Sequence, residues 1–469
     1  MEVRSSDQPL SSIIPSWVVV EHEICRKELA SFSDDDPTSA KAYASNGELV
    51  RVSFILRALP GASRLCVHCP PEGRELSCFD TILAAHGNAV LFHLEVDYKG
   101  LPAARYAADY FIYWASRNGP RLSRLPRCYS TEEEIAAAEL GSWRRNPRLA
   151  PAPGRRGMGL LVTDGGDFVV AELHLNLARL EGDGVDAPLE AQLFRLRSVK
   201  EVDTTGACEW EVKHARARGD KKAKFRDLLC WWRADTVVPY GSYLCWVDYS
   251  RGVIFCDVYH GSPDLQYLPL PVEHIPFGYP DPCRIGWPQA SRAVCITNDG
   301  MLSGVSEPGS DFTITISTLM HHSYEHMGWE KDTNGTLGAT QLWDMDGYSD
   351  QLPRVAPQFP LLSMDDPNII YFVLSEGHTL GAGAKAWVVA LNIDSIKVLW
   401  YKDFKATPSD EDAETTPYNM FCNLPFFPTE FSEHLRKATP RMNIVEMKAA
   451  RKGQIEVPCL MDHSDPTAC

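Results

Sequence analysis

The stretch Leu244–Val258, LCWVDYSRGVIFCDV, limits the fold more than any other part of the chain. Two apolar runs flank Ser250–Arg251–Gly252, which reads as a three-residue hairpin loop with Gly252 at the left-handed position. Side chains alternate between the faces of a strand. Leu244 and Trp246 therefore share one face and Cys245 and Val247 the other, with Val253/Phe255 set against Ile254/Cys256 in the same way. A sheet with one face in water would alternate polar and apolar residues. Both faces of this hairpin must be covered, as when four-stranded sheets stack radially in a propeller. A sandwich buries one face per sheet and explains the pattern less well.

The same signature recurs along the chain. Val50–Leu56, Ser63–His68, Ala89–Val96, Tyr110–Trp114, Leu189–Leu196, Ala293–Thr297, Phe312–Leu319, Ile369–Leu374, Ala386–Asn392 and Lys397–Tyr401 are short β-branched and aromatic runs. Each is bounded by Gly, Pro, Asp or Asn, which marks strands and turns. A second hairpin is legible at Gly159–Leu173, where Asp164–Gly165–Gly166 supplies the positive φ of a tight reversal. Helical patterning is weak and clearest at Thr131–Leu140, with Thr131 as N-cap, and Pro428–Lys437. The expected fold is all-β: a β-propeller-like body of roughly six to eight small antiparallel sheets at about 40–50 residues each. Few short helices and an irregular C-terminal tail complete it. The organisation read from these runs is an N-terminal segment with the first strand (1–45), two halves of the β body (46–230 and 231–405), and an acidic linker and tail (406–469). Ser31–Thr38, Arg144–Arg156 and Thr407–Thr416 read as linkers, with Asp34–Asp36 and Asp410–Glu414 as solvated acidic runs.

Around the central hairpin the residues resemble a known family. Trp232–Val258, Leu265–Pro271 (LQYLPLP), Ser291–Thr297 (SRAVCIT), Phe312–Ile316 (FTITI), Trp329–Asp332 (WEKD), Gln341–Trp343 (QLW), Leu352–Pro360 (LPRVAPQFP) and Ser363–Leu374 (SMDDPNIIYFVL) follow in order. This succession is similar to domain of unknown function 1618 (DUF 1618), a plant family abundant in grasses. Ser16–Val20, Val52–Leu56, Ser63–Pro71 and Asp167–Leu173 extend the resemblance upstream, so that it runs to about Phe404. Ser317–Thr318 and Leu302–Val305 depart from the family pattern. The resemblance implies no reaction, cofactor or catalytic residue, and residues 1–45 lack the helical, leucine-rich character of an F-box.

Composition narrows the partners. A net charge of −16 disfavours nonspecific nucleic-acid binding and anionic membrane surfaces, both of which need a positive field. The fourteen cysteines are irregularly spaced, and MEVRSSDQPLSSIIPSW has no apolar core of a signal peptide. The expectation is a soluble intracellular protein of cytoplasm or nucleus, not secreted, with most cysteines serving as small core hydrophobes.

Several motifs carry possible chemistry. His322–His326 (HSYEH) matches the H-x-x-E-H of inverted zincins, which needs a helix to bring His322 and His326 to one zinc beside Glu325. In a strand the two histidines would stand about 13 Å apart, so a polar loop is favoured. Cys66–Val67–His68–Cys69 is a C-x-x-C with no second ligand pair and only Cys78 nearby, favouring two cysteines at a strand end. Gly381–Lys385 (GAGAK) lacks P-loop spacing and reads as a hairpin loop. The basic run Lys213–Arg226, containing Lys221, Lys222 and Lys224, reads as a solvated loop between strands at Glu209–Val212 and Leu228–Trp232, or as a docking patch. Asp365–Asp366–Pro367 reads as a turn cap. No G-x-S-x-G nucleophile elbow occurs. No catalytic, cofactor or metal site is therefore assigned. Trp246, Asp248, Arg251 and Gly252 read as packing and turn residues.

These observations favour a non-enzymatic scaffold that binds a protein or small ligand through its loops. A metal-dependent hydrolase using His322, Glu325 and His326, and a nuclear regulator docking through residues 213–226, are the alternatives.

Overall fold

A computed structural model describes residues 14–68, 80–96, 107–126, 157–175, 190–198, 210–217, 232–271, 288–297, 300–306, 312–323, 326–376, 385–404 and 427–436. The expected helix at Thr131–Leu140, the linkers at Arg144–Arg156 and Thr407–Thr416, and Asp410–Glu414 lie outside these residues.

The strands fall into six four-stranded units, here called blades. Blade 1 holds β2 (Cys25–Arg26), β3 (Ala40–Tyr43), β4 (Leu49–Ile55) and β5 (Arg64–His68). Blade 2 holds β6 (Thr81–His86), β7 (Ala89–Val96), β8 (Ala107–Trp114) and β9 (Arg121–Arg124). Blade 3 holds β10 (Met158–Val162), β11 (Phe168–Leu175), β12 (Glu190–Arg197) and β13 (Trp210–Ala217). Blade 4 holds β14 (Thr236–Tyr240), β15 (Tyr243–Asp248), β16 (Gly252–Asp257) and β17 (Asp264–Pro269). Blade 5 holds β18 (Arg292–Thr297), β19 (Gly300–Ser306), β20 (Thr313–Ser323) and β21 (His326–Gly338). Blade 6 holds β22 (Gln358–Leu362), β23 (Ile369–Ser375), β24 (Ala386–Asn392) and β25 (Lys397–Phe404). The helices α1 (Pro288–Ser291) and α2 (Ala339–Trp343) are short.

The first strands of blades 2 to 6 touch in succession: β6 meets β10, β10 meets β14, β14 meets β18, and β18 meets β22. The remaining gap is filled by a ribbon of β1 (Val18–Val20) and β26 (Phe427–Thr429), paired antiparallel from opposite ends of the body. β26 lies against β6, while Val19 of β1 shares a small cavity with Phe359 and Leu361 of β22. Inner strands thus run around a closed circuit with meanders radiating from it. This is the expected all-β, propeller-like plan, with six blades.

Packing between blades explains the doubly apolar strands. In the central hairpin, Leu244, Trp246, Ile254 and Cys256 belong to a core shared with Leu161, Val169 and Leu193 of blade 3. Cys245, Val247, Val253 and Phe255 join Val294 and Leu319 of blade 5. β7 repeats the arrangement, sending Val90, Phe92 and Leu94 toward blade 1 and Ala89 and Leu91 toward blade 3. Each phenylalanine so buried contributes on the order of 1.5–3 kcal/mol. No strand of this kind could survive with one face in water.

Several local expectations are corrected. The central loop is Tyr249–Ser250–Arg251, closed by the Asp248↔Gly252 pair, and Gly252 is not in the left-handed region. It is glycine because a Cβ there would stand 2.4 Å from the Leu268 carbonyl and 2.7 Å from the Tyr267 ring. At Gly159–Leu173 the expected reversal is present, with φ +79° at Gly166. Pro428–Lys437 is not an α-helix: Pro428 lies within β26, and Phe431–Leu435 forms a 3-10 turn. The reason is the pairing of β26 with β1, which holds that backbone extended. Two strand pairs are parallel rather than antiparallel, β2 with β5 and β13 with β17. The second joins blades 3 and 4 into one eight-stranded sheet.

The run Ser31–Thr38 is a built turn rather than a linker. Asp36 accepts from the Thr38 backbone N–H at 2.8 Å and hydroxyl at 2.7 Å. Asp34 pairs with Arg51 at 2.7 Å. Tyr113 donates to the Thr38 carbonyl at 3.0 Å, tying this turn to blade 2.

Candidate functional site

The sequence-flagged motifs are distributed around the body and do not converge. His322 is the last residue but one of β20 and His326 opens β21, so the two histidines sit on adjacent antiparallel strands with Ser323 opposite His326. The polar loop expected there is the end of a β-hairpin, and the helical spacing that the zinc motif needs is replaced by strand; Tyr324 and Glu325 lie outside the described residues. Among the described residues no group of three or more His, Cys, Asp or Glu is placed to hold a metal ion.

Cys66 is not an unpaired strand-end cysteine. Its register opposite Cys25 places the Cα atoms 4.6 Å apart, within reach of a disulfide, and the two are bonded. That pairing depends on a long-range parallel contact which local spacing cannot reveal; Cys69 and Cys78 lie outside the described residues. Cys245, Cys256 and Cys295 are unbonded and buried, as core hydrophobes should be. Burial pushes the Cys256 and Cys295 thiols up to about 12, which leaves them inert.

The basic run is only partly a loop. Lys213 lies inside β13 and pairs with Glu211 at 2.9 Å, so residues up to Ala217 are strand; 218–231 lie outside the described residues. Gly381–Ala384 are likewise undescribed, but β23 and β24, which they join, are antiparallel neighbours as a hairpin requires. Asp366 caps its turn by accepting from the Asn368 N–H at 2.9 Å, whereas Asp365 accepts from the Ser16 hydroxyl at 3.0 Å.

The central hairpin is held by charge. Asp248, 1% exposed, accepts from the backbone N–H groups of Arg233 (3.1 Å) and Ser250 (2.9 Å) and from the Arg251 guanidinium (2.8 Å). Burial raises its carboxyl above the usual range despite these donors. Trp246 donates its indole N–H to the Gly157 carbonyl at 2.6 Å, across to blade 3. These are turn and packing roles, in keeping with the sequence reading.

At the junction of blades 3 and 4, Arg195 is 1% exposed. It donates to Glu211 at 2.9 Å and to the carbonyls of Val258 and His260 at 2.7 and 2.8 Å. Partial burial would raise the Glu211 carboxyl. Hydrogen bonds from Lys213 and Arg195, with the charges of Arg195 and Arg197, outweigh it and hold the group down at about 2. All of these groups are spent on one another.

An open cleft between blades 2 and 3 is different. It measures about 270 Å³ and is lined by Asn88, Ile112, Trp114, Arg121, Ser123, Leu125, Gly166 and Phe168. The β8–β9 register sets Trp114 opposite Arg121 and Ile112 opposite Ser123, so all four share one face. The Arg121 guanidinium lies 5.9 Å from the Trp114 ring centre, and Phe168 meets that indole edge-on at 5.4 Å. Asn88 donates to the Ala115 carbonyl at 3.3 Å from the β6–β7 turn. His86 Nδ1 accepts from the Val162 N–H at 2.9 Å, joining β6 of blade 2 to β10 of blade 3. Burial lowers the His86 imidazole to about 4 against the pull of Asp164, so it stays neutral and able to accept. Sequence reading missed this site, because its residues come from three separate hairpins and none forms a motif.

Comparison with known proteins agrees with the central part of the chain. Residues 246–371 match the family model described as Protein of unknown function (DUF1618), so the chain carries a domain of that family from Trp246 to Tyr371. The match is shorter than the resemblance traced along the sequence. No curated protein matches. Among solved structures, a protein named as a 6-phosphogluconolactonase from Bacteroides uniformis is similar at 10% identity and TM-score 0.32, over 77% of this chain and 78% of its own. An endo-arabinase from Bacteroides thetaiotaomicron follows at 11% identity and TM-score 0.24, over 56% and 83%. A eukaryotic initiation factor is at 11% and 0.25, over 80% and 89%. Scores this low carry no functional argument, and the six-bladed plan rests on the strand order and inner-strand contacts given above.

Proposed function

We propose that this chain is a non-enzymatic interaction scaffold that contacts its ligand through the cleft and turns between blades 2 and 3. One observation carries the reading. The cleft offers a cation, a hydroxyl, an amide and two aromatic rings, while among the described residues no carboxylate, histidine or cysteine lines it. Such a surface can grip and orient, but its hydroxyl, Ser123, has among the described residues of the lining no base to make it a nucleophile. Loops and turns on a rigid body are the usual place for recognition.

The test is partner capture with the full chain crosslinked in cells of its source, comparing wild type with Asn88→Lys/Gly166→Lys, which crowds the cleft rim. The expected outcome is a ligand recovered reproducibly with wild type and lost from the double variant. A ligand retained equally by both, or turnover of a substrate by the purified chain, would overturn the reading.

A further inference from the structure

We propose that the cleft between blades 2 and 3 is a binding site for a small planar carboxylate, held by Arg121 and stacked along Trp114. The inference rests on the scaffold reading for the role of the cleft and names the chemistry of what enters it.

Arg121 carries the argument. Arg51, Arg64, Arg195, Arg197 and Arg251 each lie within about 3.1 Å of a carboxylate. Arg121 has no ion pair or hydrogen bond among the described residues, although the chain holds 62 acidic side chains against 46 basic. It is exposed yet placed, because β9 pairs with β8 and the indole of Trp114 lies beneath the guanidinium. A guanidinium fixed in one plane presents a fork of N–H donors that matches a carboxylate with two parallel hydrogen bonds. Ser123, two residues along the same face, has no side-chain partner among the described residues and can give or take a further hydrogen bond.

Size and charge narrow the class. The volume of about 270 Å³ falls just below the roughly 300–1,000 Å³ of drug-sized sites, which suits a single ring with its acid group rather than a nucleotide. A phosphate dianion would want a second cation, a helix N-terminus or a nest of backbone N–H groups, and among the described residues the lining supplies one cation only. The Trp114 and Phe168 rings provide the flat apolar wall that a ring needs. Gly166 leaves the rim open, with no atom within 4 Å of where a Cβ would stand.

The experiment titrates the full chain with benzoate and its neutral isostere benzamide, read by calorimetry and tryptophan fluorescence. Benzoate should bind at least about tenfold more tightly than benzamide, and added salt should erode the difference. Arg121→Met should reduce benzoate to the benzamide level with the unfolding midpoint unchanged, and Ser123→Leu, which fills the cleft, should abolish both. A second arm uses a short acetylated peptide ending in a phenylalanine carboxylate. Tighter binding of the peptide identifies a chain terminus as the source of the acid, and tighter binding of benzoate a free acid. Equal affinity for benzoate and benzamide, an Arg121→Met protein that binds like wild type, or no binding of any acid would overturn the proposal. Failure here with capture still lost from the crowded-rim double variant would sink the carboxylate and leave the scaffold standing.

Discussion

The junction between blades 3 and 4 and the seam between blades 6 and 1 solve one problem by opposite means. At the first, β13 and β17 pair in parallel and Arg195 reaches from blade 3 to two carbonyls of blade 4. At the second, a small cavity of about 50 Å³ is walled by Val19, Pro60, Leu361 and Tyr371. Trp17 meets Tyr371 there at 5.9 Å, and the hydroxyl of Ser16 reaches Asp365. The polar junction is specific in geometry and expensive to disturb, since a buried charge stripped of its partners has nowhere to go. The apolar seam is tolerant, because apolar packing with one exposed hydrogen bond across it accepts small shifts. The lesson is that a ring of blades needs one stiff joint and one forgiving one where its ends meet.

The largest effect should come from breaking the stiff joint. Arg195→Leu strips the donor from the buried Val258 carbonyl and the His260 carbonyl, takes away one of the three cationic partners of Glu211, and should cost about 3–5 kcal/mol in urea unfolding. A loss below about 1 kcal/mol would show that the parallel pairing alone holds the blades. On the seam side, reduction of Cys25–Cys66, which closes a separation of 41 residues, should cost about 2–4 kcal/mol. Proteolysis after reduction should then open blade 1 before blades 3 and 4; the reverse order would overturn the contrast.

Acid should act on blade 2 and on the polar junction in different pH windows. Burial lowers the His93 and His86 imidazoles from 6.5 to about 4. Both are neutral in the folded chain, so the stability they contribute is present above about pH 6.5. It is lost as pH falls through about 4, at up to about 1.4 kcal/mol per pH unit for the fully buried His93. Glu211, held at about 2 against an ordinary 4.5, keeps its contribution above pH 4.5 and loses it as pH falls toward 2. Hydrogen exchange across that range should show the β6–β8 amides opening before those of β12 and β13. The smallest effect is expected from Ser16→Ala, which removes one exposed bond across the seam and should cost under about 1 kcal/mol.

Much of the fold was legible because the blades bury both faces of their middle strands. Ala89–Val96 and Ala386–Asn392 were read to the residue, and the two-faced burial of Leu244–Val258 is as expected. Edge strands were harder. Ala40–Tyr43 carries a lysine and a 67% exposed tyrosine, which dilute its pattern. Thr236–Tyr240 contains Pro239, which demotes a run in sequence; here it is tolerated because β14 is the edge of its sheet. The cleft could not be read at all. Trp114, Arg121 and Phe168 are ordinary residues of three strands, and their meeting is a product of how blades 2 and 3 lean together.

The ribbon of β1 and β26 also sets an order of events in time. A chain made from its N-terminus holds Val18–Val20 ready long before Phe427–Thr429 has been synthesised. Until then the first blade lacks its inner lining, and an apolar strand edge waits for a partner that does not yet exist. The ring can be locked only once Phe427–Thr429 has left the ribosome, so a transcript truncated before Phe427 would yield blades without closure.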